Sequence, residues 1–407
     1  MGLRLAFLLV LLATGAVGLI TLSGSDATYI GPLVIVDGCS VSLSLISVLF
    51  GVVYYSCCYS TSSKTESFCL LVSVASSIIC FSSNHLLVFW VGYELSIIPL
   101  LLCLFISSPY SERFLAGWYL LTYVLLTGAP LLLSLMVLGS NSGSYLISDQ
   151  NNTIFVMEVV LFALFVTKVP LPPFHAWLPV VHAEASTLVS VALSGYVMKL
   201  GVVGLYRFCG NLLNTLQGLV AVLFLVSLGF YLCAASELDV KRWLAFLSLS
   251  HILVGVVGLL YGSGGMESFS FIFCLGHGLS AGMLFFIFGV MYRNAGTRNW
   301  LLMAPTNGQG SCWSLVLIAS LLTVSSFPVS ISFISEVYIL SASFSSASVL
   351  TGFSIYILLG GLVPVLLLAY LLTKVDLKSS AAQGLSGGEG LLLMSLFLLW
   401  FGGCLLV

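Results

Sequence analysis

Residues 153–182 read TIFVMEVVLFALFVTKVPLPPFHAWLPVVH, and this stretch decides the fold. Its 30 residues exceed the roughly 20 that a helix needs to cross a bilayer. Pro170, Pro172 and Pro173 remove backbone donors and clash with the preceding turn, so no straight helix can continue through them. Unwound backbone at membrane depth is tolerated only inside protein or beside a water-filled cavity. The stretch therefore predicts a broken membrane helix inside a larger bundle.

The composition indicates that the chain as a whole is solvated mostly by lipid. Of 407 residues, 60% are apolar and 6% are charged, whereas an average globular chain is about 25% charged. This excludes a soluble enzyme, a nucleic-acid-binding protein, a disordered protein and a secreted disulfide scaffold. The sequence also lacks C-x-x-C pairs, a Walker A motif and a G-x-G-x-x-G turn. We therefore expect this chain to bind no metal, cofactor, nucleotide or nucleic acid.

Apolar runs of spanning length recur along the whole sequence. We predict an all-α polytopic membrane protein, because the strands of a membrane β-barrel alternate apolar and polar residues and these runs do not. The thirteen predicted transmembrane elements are 3–22, 40–59, 67–83, 85–106, 114–138, 153–182, 185–207, 213–233, 243–262, 267–291, 312–345, 350–373 and 391–407.

A second interruption, Ser325-Ser326-Phe327-Pro328, lies five elements after the first. Matching interruptions are typical of inverted repeats, so we predict two inverted five-helix repeats, each containing a broken helix. The chain then divides into four regions: shortened N-terminal helices at 1–66, a first antiporter-like repeat at 67–207, the inverted repeat at 208–373, and a loop with the last helix at 374–407. The run at 3–22 follows Arg4 like a signal peptide, but the twelve spans after it favour a retained helix.

The basic residues predict the orientation of the chain. Threading the thirteen elements places nine of the twelve Lys and Arg residues on one side, here called side A, and only Arg207 on the other, side B. The remaining two, Lys168 and Lys199, fall inside elements. The positive-inside rule makes side A the cytoplasmic or matrix side, with the N-terminus on it and the C-terminus opposite.

Several ionisable residues are predicted inside the membrane, where a charge costs about 2.5–3.5 kcal/mol on insertion scales. Such residues normally face the bundle interior and have a partner. We interpret six of them, from six different elements, as a chain of proton-relay sites near the midplane. They are Glu94, Lys168, Lys199, His251, His277 and Glu336. Among them, the two lysines are the natural partners for Glu94.

Each of these residues also has a structural reading that the sequence leaves open. A carboxylate can lock two helices together, a lysine can snorkel or bind a broken helix, and a lone histidine is often only hydrogen-bonded. His175, His182 and Glu184 cluster around the first break, where a capping role and proton entry are equally compatible with the sequence. His85, Glu158 and Glu267 lie near the ends of elements and are predicted to be interfacial.

The motifs around these residues resemble a known family. Lys168–Pro179 is similar to the broken-helix signature of the antiporter-like subunits of respiratory complex I, and His182–Ala185 and Lys199–Gly201 continue the similarity. Later segments fit the chain 4 type of subunit better than chains 2 and 5. They are Asp239–Arg242, Ser248–His251, Gly276–Ser280, and Phe327-Pro328 leading to Glu336.

The resemblance implies a proton-translocating core subunit of NADH:ubiquinone reductase in the mitochondrial inner membrane. In that family Glu94 matches the glutamate that modulates a lysine partner, the two lysines and two histidines match the channel, and Glu336 stands where sister subunits have a lysine. The flavin mononucleotide, iron–sulfur clusters and ubiquinone belong to other subunits. The implied partners are chain 2-type and chain 5-type neighbours and membrane lipid such as cardiolipin.

The sequence departs from the family pattern at Ser186, where a proline is usual, and it is short by about one N-terminal helix. Two other functions stay open at this stage. One is a subunit of an Mrp-type cation/proton antiporter, which shares the broken helices. The other is a scaffold whose buried charges only lock helices together.

Overall fold

The computed structural model describes residues 29–57, 63–150, 154–262, 267–303, 310–328 and 330–373. The predicted elements at 3–22 and 391–407 lie outside these residues. The described part is a helical bundle preceded by a short antiparallel strand pair, Tyr29–Ile30 and Ile35–Val36, in which Tyr29 pairs with Val36. The strand pair was not expected from the sequence.

The helices follow the predicted elements closely. They are α1 Gly38–Cys57, α2 Lys64–Ser82, α3 Leu86–Ser107, α4 Arg113–Ser142, α5 Phe155–Lys168, α6 Trp177–Glu184, α7 Thr187–Phe208, α8 Gly210–Thr215, α9 Gln217–Ser236, α10 Val240–Tyr261, α11 Glu267–Ala295, α12 Gly310–Val324, α13 Ile331–Ala342 and α14 Ala347–Thr373. Among the described residues, eight of these helices are long and apolar enough to cross a membrane. The class of all-α polytopic membrane protein is confirmed.

Both predicted interruptions are present. The first helix stops at Lys168 and resumes at Trp177, whose indole Nε1 donates a hydrogen bond of 3.1 Å to the Thr167 carbonyl at the break. The second stops at Val324 and resumes at Ile331, with Ser330 capping the new helix through a 3.0 Å bond from the Phe333 N–H. Side chains therefore satisfy backbone groups at the helix ends that the two breaks create.

Helix α7 contains a feature that the sequence did not predict. Residues Leu193–Val197 form a π-helical segment inside an otherwise α-helical element. Such segments redirect a carbonyl away from the regular hydrogen-bond ladder and occur frequently at functional sites. Lys199 lies two residues beyond this segment.

The loops meet at two ends of the bundle. At one end, Arg207 forms an ion pair of 2.8 Å with Asp37. At the same end, the backbones of His85 and Leu146 form an isolated antiparallel β-bridge. These loops were all predicted to lie on side B. The other end joins loops that were predicted to share side A.

At the side A end, Arg298 pairs with Glu184 at 3.2 Å and with Asp239 at 3.3 Å. The guanidinium of Arg298 also lies over the Tyr110 ring, 4.3 Å from its centroid, and Nζ of Lys241 lies 4.7 Å from the same centroid. Burial raises the pKa of the Tyr110 hydroxyl, so the ring that contacts these two cations stays neutral.

Helices α10 and α11 form the centre of the bundle. In each, 94% of the spanning window is buried by other helices, whereas the corresponding share is 33% for α14 and 39% for α2. The peripheral helices expose apolar side chains to lipid, as a membrane bundle requires. Because α10 carries His251 and α11 carries His277, the two histidines lie in the most enclosed part of the protein.

Candidate functional site

The first pair of the site joins α7 to α11. Nζ of Lys199 lies 3.1 Å from Nδ1 of His277, and it also donates a hydrogen bond to the carbonyl of Ser194. That carbonyl belongs to the π-helical segment, so the irregular backbone supplies a ligand for the buried ammonium. Lys199 is completely buried and His277 is 4% exposed. The sequence-predicted lysine therefore has a histidine as its side-chain partner, and not Glu94.

The second pair joins α11 to α10. The rings of His277 and His251 are nearly parallel, with 5.7 Å between their centroids and 13° between their planes. His251 is held between two backbone carbonyls: Nδ1 lies 2.7 Å from the Leu247 oxygen and Nε2 lies 3.1 Å from the Val324 oxygen. The two histidines are thus fixed against each other in the core.

The second break explains why the Val324 carbonyl is available. In a continuous helix this carbonyl would accept a hydrogen bond from the N–H four residues later, and that residue is Pro328, which has none. The freed oxygen turns instead to His251. The proline that interrupts the helix therefore also supplies a ligand to the neighbouring helix.

Glu336 lies beyond His251 on α13. Its Oε1 accepts hydrogen bonds from Oγ of Ser326 at 2.5 Å and from the Tyr356 hydroxyl at 2.8 Å. A cavity of about 70 Å³ is lined by these three residues and His251. One water occupies about 30 Å³ in the liquid, so the cavity has room for about two waters with polar partners. Lys199, His277, His251 and Glu336, here called the central file, thus run through four packed helices.

The remaining predicted pair lies in a different group of helices. Glu94 on α3 faces Gly128 on α4, where a Cβ atom would come within 2.8 Å of the Glu94 Oε1. Lys168, at the end of α5, has its Nζ 4.9 Å from the centroid of the Tyr93 ring. Among the described residues, neither Oε1 of Glu94 nor Nζ of Lys168 has a hydrogen-bond partner. We call Tyr93, Glu94 and Lys168 the lateral site.

The two histidines of the first break contact neither the central file nor the lateral site through a hydrogen bond in the described part of the chain. His182 is completely buried and stacks on Phe285 with 4.9 Å between ring centroids, and both its nitrogens are without partners among those residues. His175 is partly buried beside Phe230, 4.6 Å away. Glu184, their predicted neighbour, forms the ion pair with Arg298.

Sequence reasoning missed four groups that hold the predicted residues in place. Tyr93 directly precedes the predicted site residue Glu94, and Ser326 lies within the second predicted break. Their positions in the sequence were therefore a usable signal. Tyr356 and Ser194 adjoin no predicted site residue and lie outside both predicted breaks. Glu158, predicted to be interfacial, is 3% exposed in the folded chain.

The chain is similar in sequence to known proteins over most of its length. The family described as NADH:quinone oxidoreductase/Mrp antiporter, transmembrane, matches residues 83–363. NADH-ubiquinone oxidoreductase chain 4 of Myxine glutinosa is 31% identical over 288 residues, which are 68% of this chain and 62% of that relative. The chain therefore spans less than two thirds of the length of that relative.

The fold is similar to that of solved membrane complexes. A chain of respiratory complex I from Thermus thermophilus with bound NADH superposes with a TM-score of 0.82 at 21% identity, covering 100% of this chain and 98% of that one. A chain of the Mrp complex from Dietzia sp. DQ12-45-1b gives 0.79 at 16% identity, covering 95% and 77%. The chain therefore belongs to the NADH:quinone oxidoreductase/Mrp antiporter family of membrane subunits, and its sequence relatives are of the chain 4 type.

Proposed function

We propose that this chain is a core membrane subunit of a respiratory NADH:ubiquinone oxidoreductase and translocates protons. The observation that carries the proposal is the central file: a lysine, two histidines and a glutamate lie in consecutive contact or across a small cavity into which a few polar side chains point. Side chains that gain and lose protons at such spacing can pass a proton along a file, with water completing the gap.

The mechanism begins with proton exchange between Lys199 and His277, whose facing nitrogens are 3.1 Å apart. A proton on His277 passes to His251 by way of water, because the stacked rings face each other with their planes and not with their nitrogens. From His251 it crosses the cavity to Glu336. Glu94 and Lys168 act as the lateral site that biases this file electrostatically, and His175 and His182 form a connecting relay beside the first break.

The redox chemistry takes place elsewhere in the proposed assembly. This chain binds no cofactor, while flavin mononucleotide, iron–sulfur clusters and ubiquinone are held by other subunits. The energy reaches this chain through conformational or electrostatic coupling between subunits. Chain 2-type and chain 5-type subunits are the proposed neighbours, with membrane lipid such as cardiolipin between them.

The architecture proposed for the full chain has thirteen transmembrane helices and two inverted five-helix repeats, at 67–207 and 208–373. It is supported by the two breaks at Lys168–Trp177 and Val324–Ile331. The proposed location is the mitochondrial inner membrane, with side A and the N-terminus in the matrix and the C-terminus in the intermembrane space. The excess of basic residues on side A supports this orientation.

A subunit of an Mrp-type cation/proton antiporter is the second candidate, favoured by the structural likeness to the Mrp complex. Purification of the tagged chain from its native membrane under mild detergent distinguishes the two. Co-migration with a large assembly that oxidises NADH and reduces a quinone supports the first proposal. Na⁺/H⁺ exchange in proteoliposomes, from an assembly without NADH oxidation, contradicts it and supports the second.

A further inference from the structure

The lateral site presents an unusual environment for a lysine. Lys168 is 4% exposed, and its Nζ has no hydrogen-bond partner among the described residues. A buried ammonium carries three N–H donors and normally requires an anion, a set of acceptors or an aromatic face. The contact that the structure shows is the face of the Tyr93 ring, 4.9 Å from Nζ to the centroid. This is within the range of a cation–π interaction.

The Tyr93 ring is a fixed platform. It is fully buried, it stacks on Phe89 with 5.9 Å between centroids and 29° between planes, and it meets Phe165 edge to face at 6.0 Å and 80°. Phe165 lies one turn before Lys168 on the same helix, so the platform packs against the helix that carries the ammonium. The ring cannot swing away without disturbing this aromatic cluster.

The neighbouring carboxylate points in another direction. Successive residues on a helix project about 100° apart, so Glu94 faces α4 while Tyr93 faces α5. The close approach of the Glu94 carboxylate to Gly128 and the 2.9 Å hydrogen bond from Trp90 Nε1 to the Gly128 carbonyl fix that side of α3 against α4. In the described chain, Glu94 and Lys168 form no ion pair within 4.0 Å. The ring therefore fills the role of direct partner to the ammonium.

We propose that Tyr93 is a positioning residue for proton translocation, which holds the protonated form of Lys168 on its ring face near Glu94. The inference rests on the proposed function and adds Tyr93 to it. The aromatic ring of Tyr93 holds the ammonium, and its hydroxyl is not required. The attraction acts on the ammonium and vanishes for the neutral amine, so the position of the lysine side chain changes when it loses its proton. The Tyr93 hydroxyl itself has no hydrogen-bond partner in the described part of the chain.

The test measures NADH-driven proton uptake in vesicles that contain the intact assembly, after checking that each variant assembles. Tyr93→Leu removes the ring, and we expect proton uptake to fall by about 10- to 30-fold, the ratio that corresponds to a desolvated cation–π contact. Tyr93→Phe keeps the ring, so it should retain most of the proton uptake of the unmodified chain. Phe105→Leu is the matched control, because Phe105 lies on the same helix as Tyr93 but packs on Phe114 and not on the Tyr93 cluster, and it should cost less than threefold.

A double-mutant cycle with Lys168→Met separates positioning from packing. If Tyr93 acts through Lys168, Tyr93→Leu adds little to the loss caused by Lys168→Met alone. Full additivity of the two losses, or an equal loss in Tyr93→Phe and Tyr93→Leu, overturns the inference. Normal proton uptake in Lys168→Met would instead contradict the role of the lateral site in the proposed function, so the two failures are distinguishable.

Discussion

Gly128 is the position where a single methyl group tests the lateral site. A Cβ atom built on Gly128 lies 2.8 Å from Oε1, 3.0 Å from Cδ and 3.2 Å from Oε2 of Glu94. Ordinary contacts of a Cβ atom begin near 3.4 Å, so Gly128→Ala forces the carboxylate to move by about 0.6 Å. The helices cannot separate easily, because Trp90 is hydrogen-bonded to the Gly128 carbonyl. The displacement therefore falls on the Glu94 side chain.

The size of the effect follows from this displacement. A misplacement of about 1 Å can cost roughly 100-fold in rate even when the changed residue lies away from the reacting groups, so a shift near 0.6 Å predicts about a tenfold fall in proton transfer. The packing cost is about 1–3 kcal/mol, which leaves the helix bundle folded. We expect Gly128→Ala to assemble normally and to lower NADH-driven proton uptake about tenfold.

The control is Gly229→Ala, in α9, where an added Cβ has no heavy atom within 4 Å. Its proton uptake should match that of the unmodified chain. Both variants are compared at equal amounts of assembled protein, by initial rates of acidification in sealed vesicles. Proton uptake at the unmodified rate in Gly128→Ala, with the substitution confirmed by mass spectrometry, refutes the proposed influence of Glu94 on the central file.

Two further changes test other parts of the structure. Pro328→Ala returns an N–H that competes with His251 for the Val324 carbonyl, so we expect about a fivefold slower proton flux from the loss of roughly 1 kcal/mol of hydrogen bonding. The control Pro130→Ala, in α4, should leave the flux unchanged. Equal fluxes in the two variants would contradict the role of the freed carbonyl. Arg298→Met should destabilise the side A end by about 1–3 kcal/mol, measured as a lower midpoint of thermal unfolding. Arg242 forms an exposed ion pair of 3.5 Å with Glu237, so Arg242→Met should cost less than about 1 kcal/mol. An equal loss of stability in the two variants would contradict the network around Arg298.

The class of fold could be predicted from the sequence because membrane solvation leaves a strong signal. Apolar runs of spanning length predicted the described helices within a few residues, and the prolines at 170–173 and 328 predicted both breaks. These features act locally, through missing N–H groups and the cost of polar atoms in lipid. Loops that the order of the spans placed at the same end of the bundle also contact one another.

The partners of the buried charges could not be predicted in the same way. The sequence placed Lys199 and Lys168 opposite acids, because a buried charge requires compensation and carboxylates are the obvious source. The structure gives Lys199 a histidine and a backbone carbonyl, and it places Lys168 near Glu94 as predicted but in direct contact with an aromatic face. Both contacts depend on how helices rotate against each other, and the Lys199 contact depends also on a π-helical segment; neither feature leaves a periodic pattern in one sequence.

The central claim is that protons cross the membrane through the central file. The most direct test is the number of protons translocated per NADH oxidised by the intact assembly that carries Lys199→Met. The substitution removes the 3.1 Å contact with His277 and the titratable group that begins the file. We predict a lower proton-to-NADH ratio, or blocked turnover, in a fully assembled complex. An unchanged ratio at a normal rate of NADH oxidation contradicts the claim.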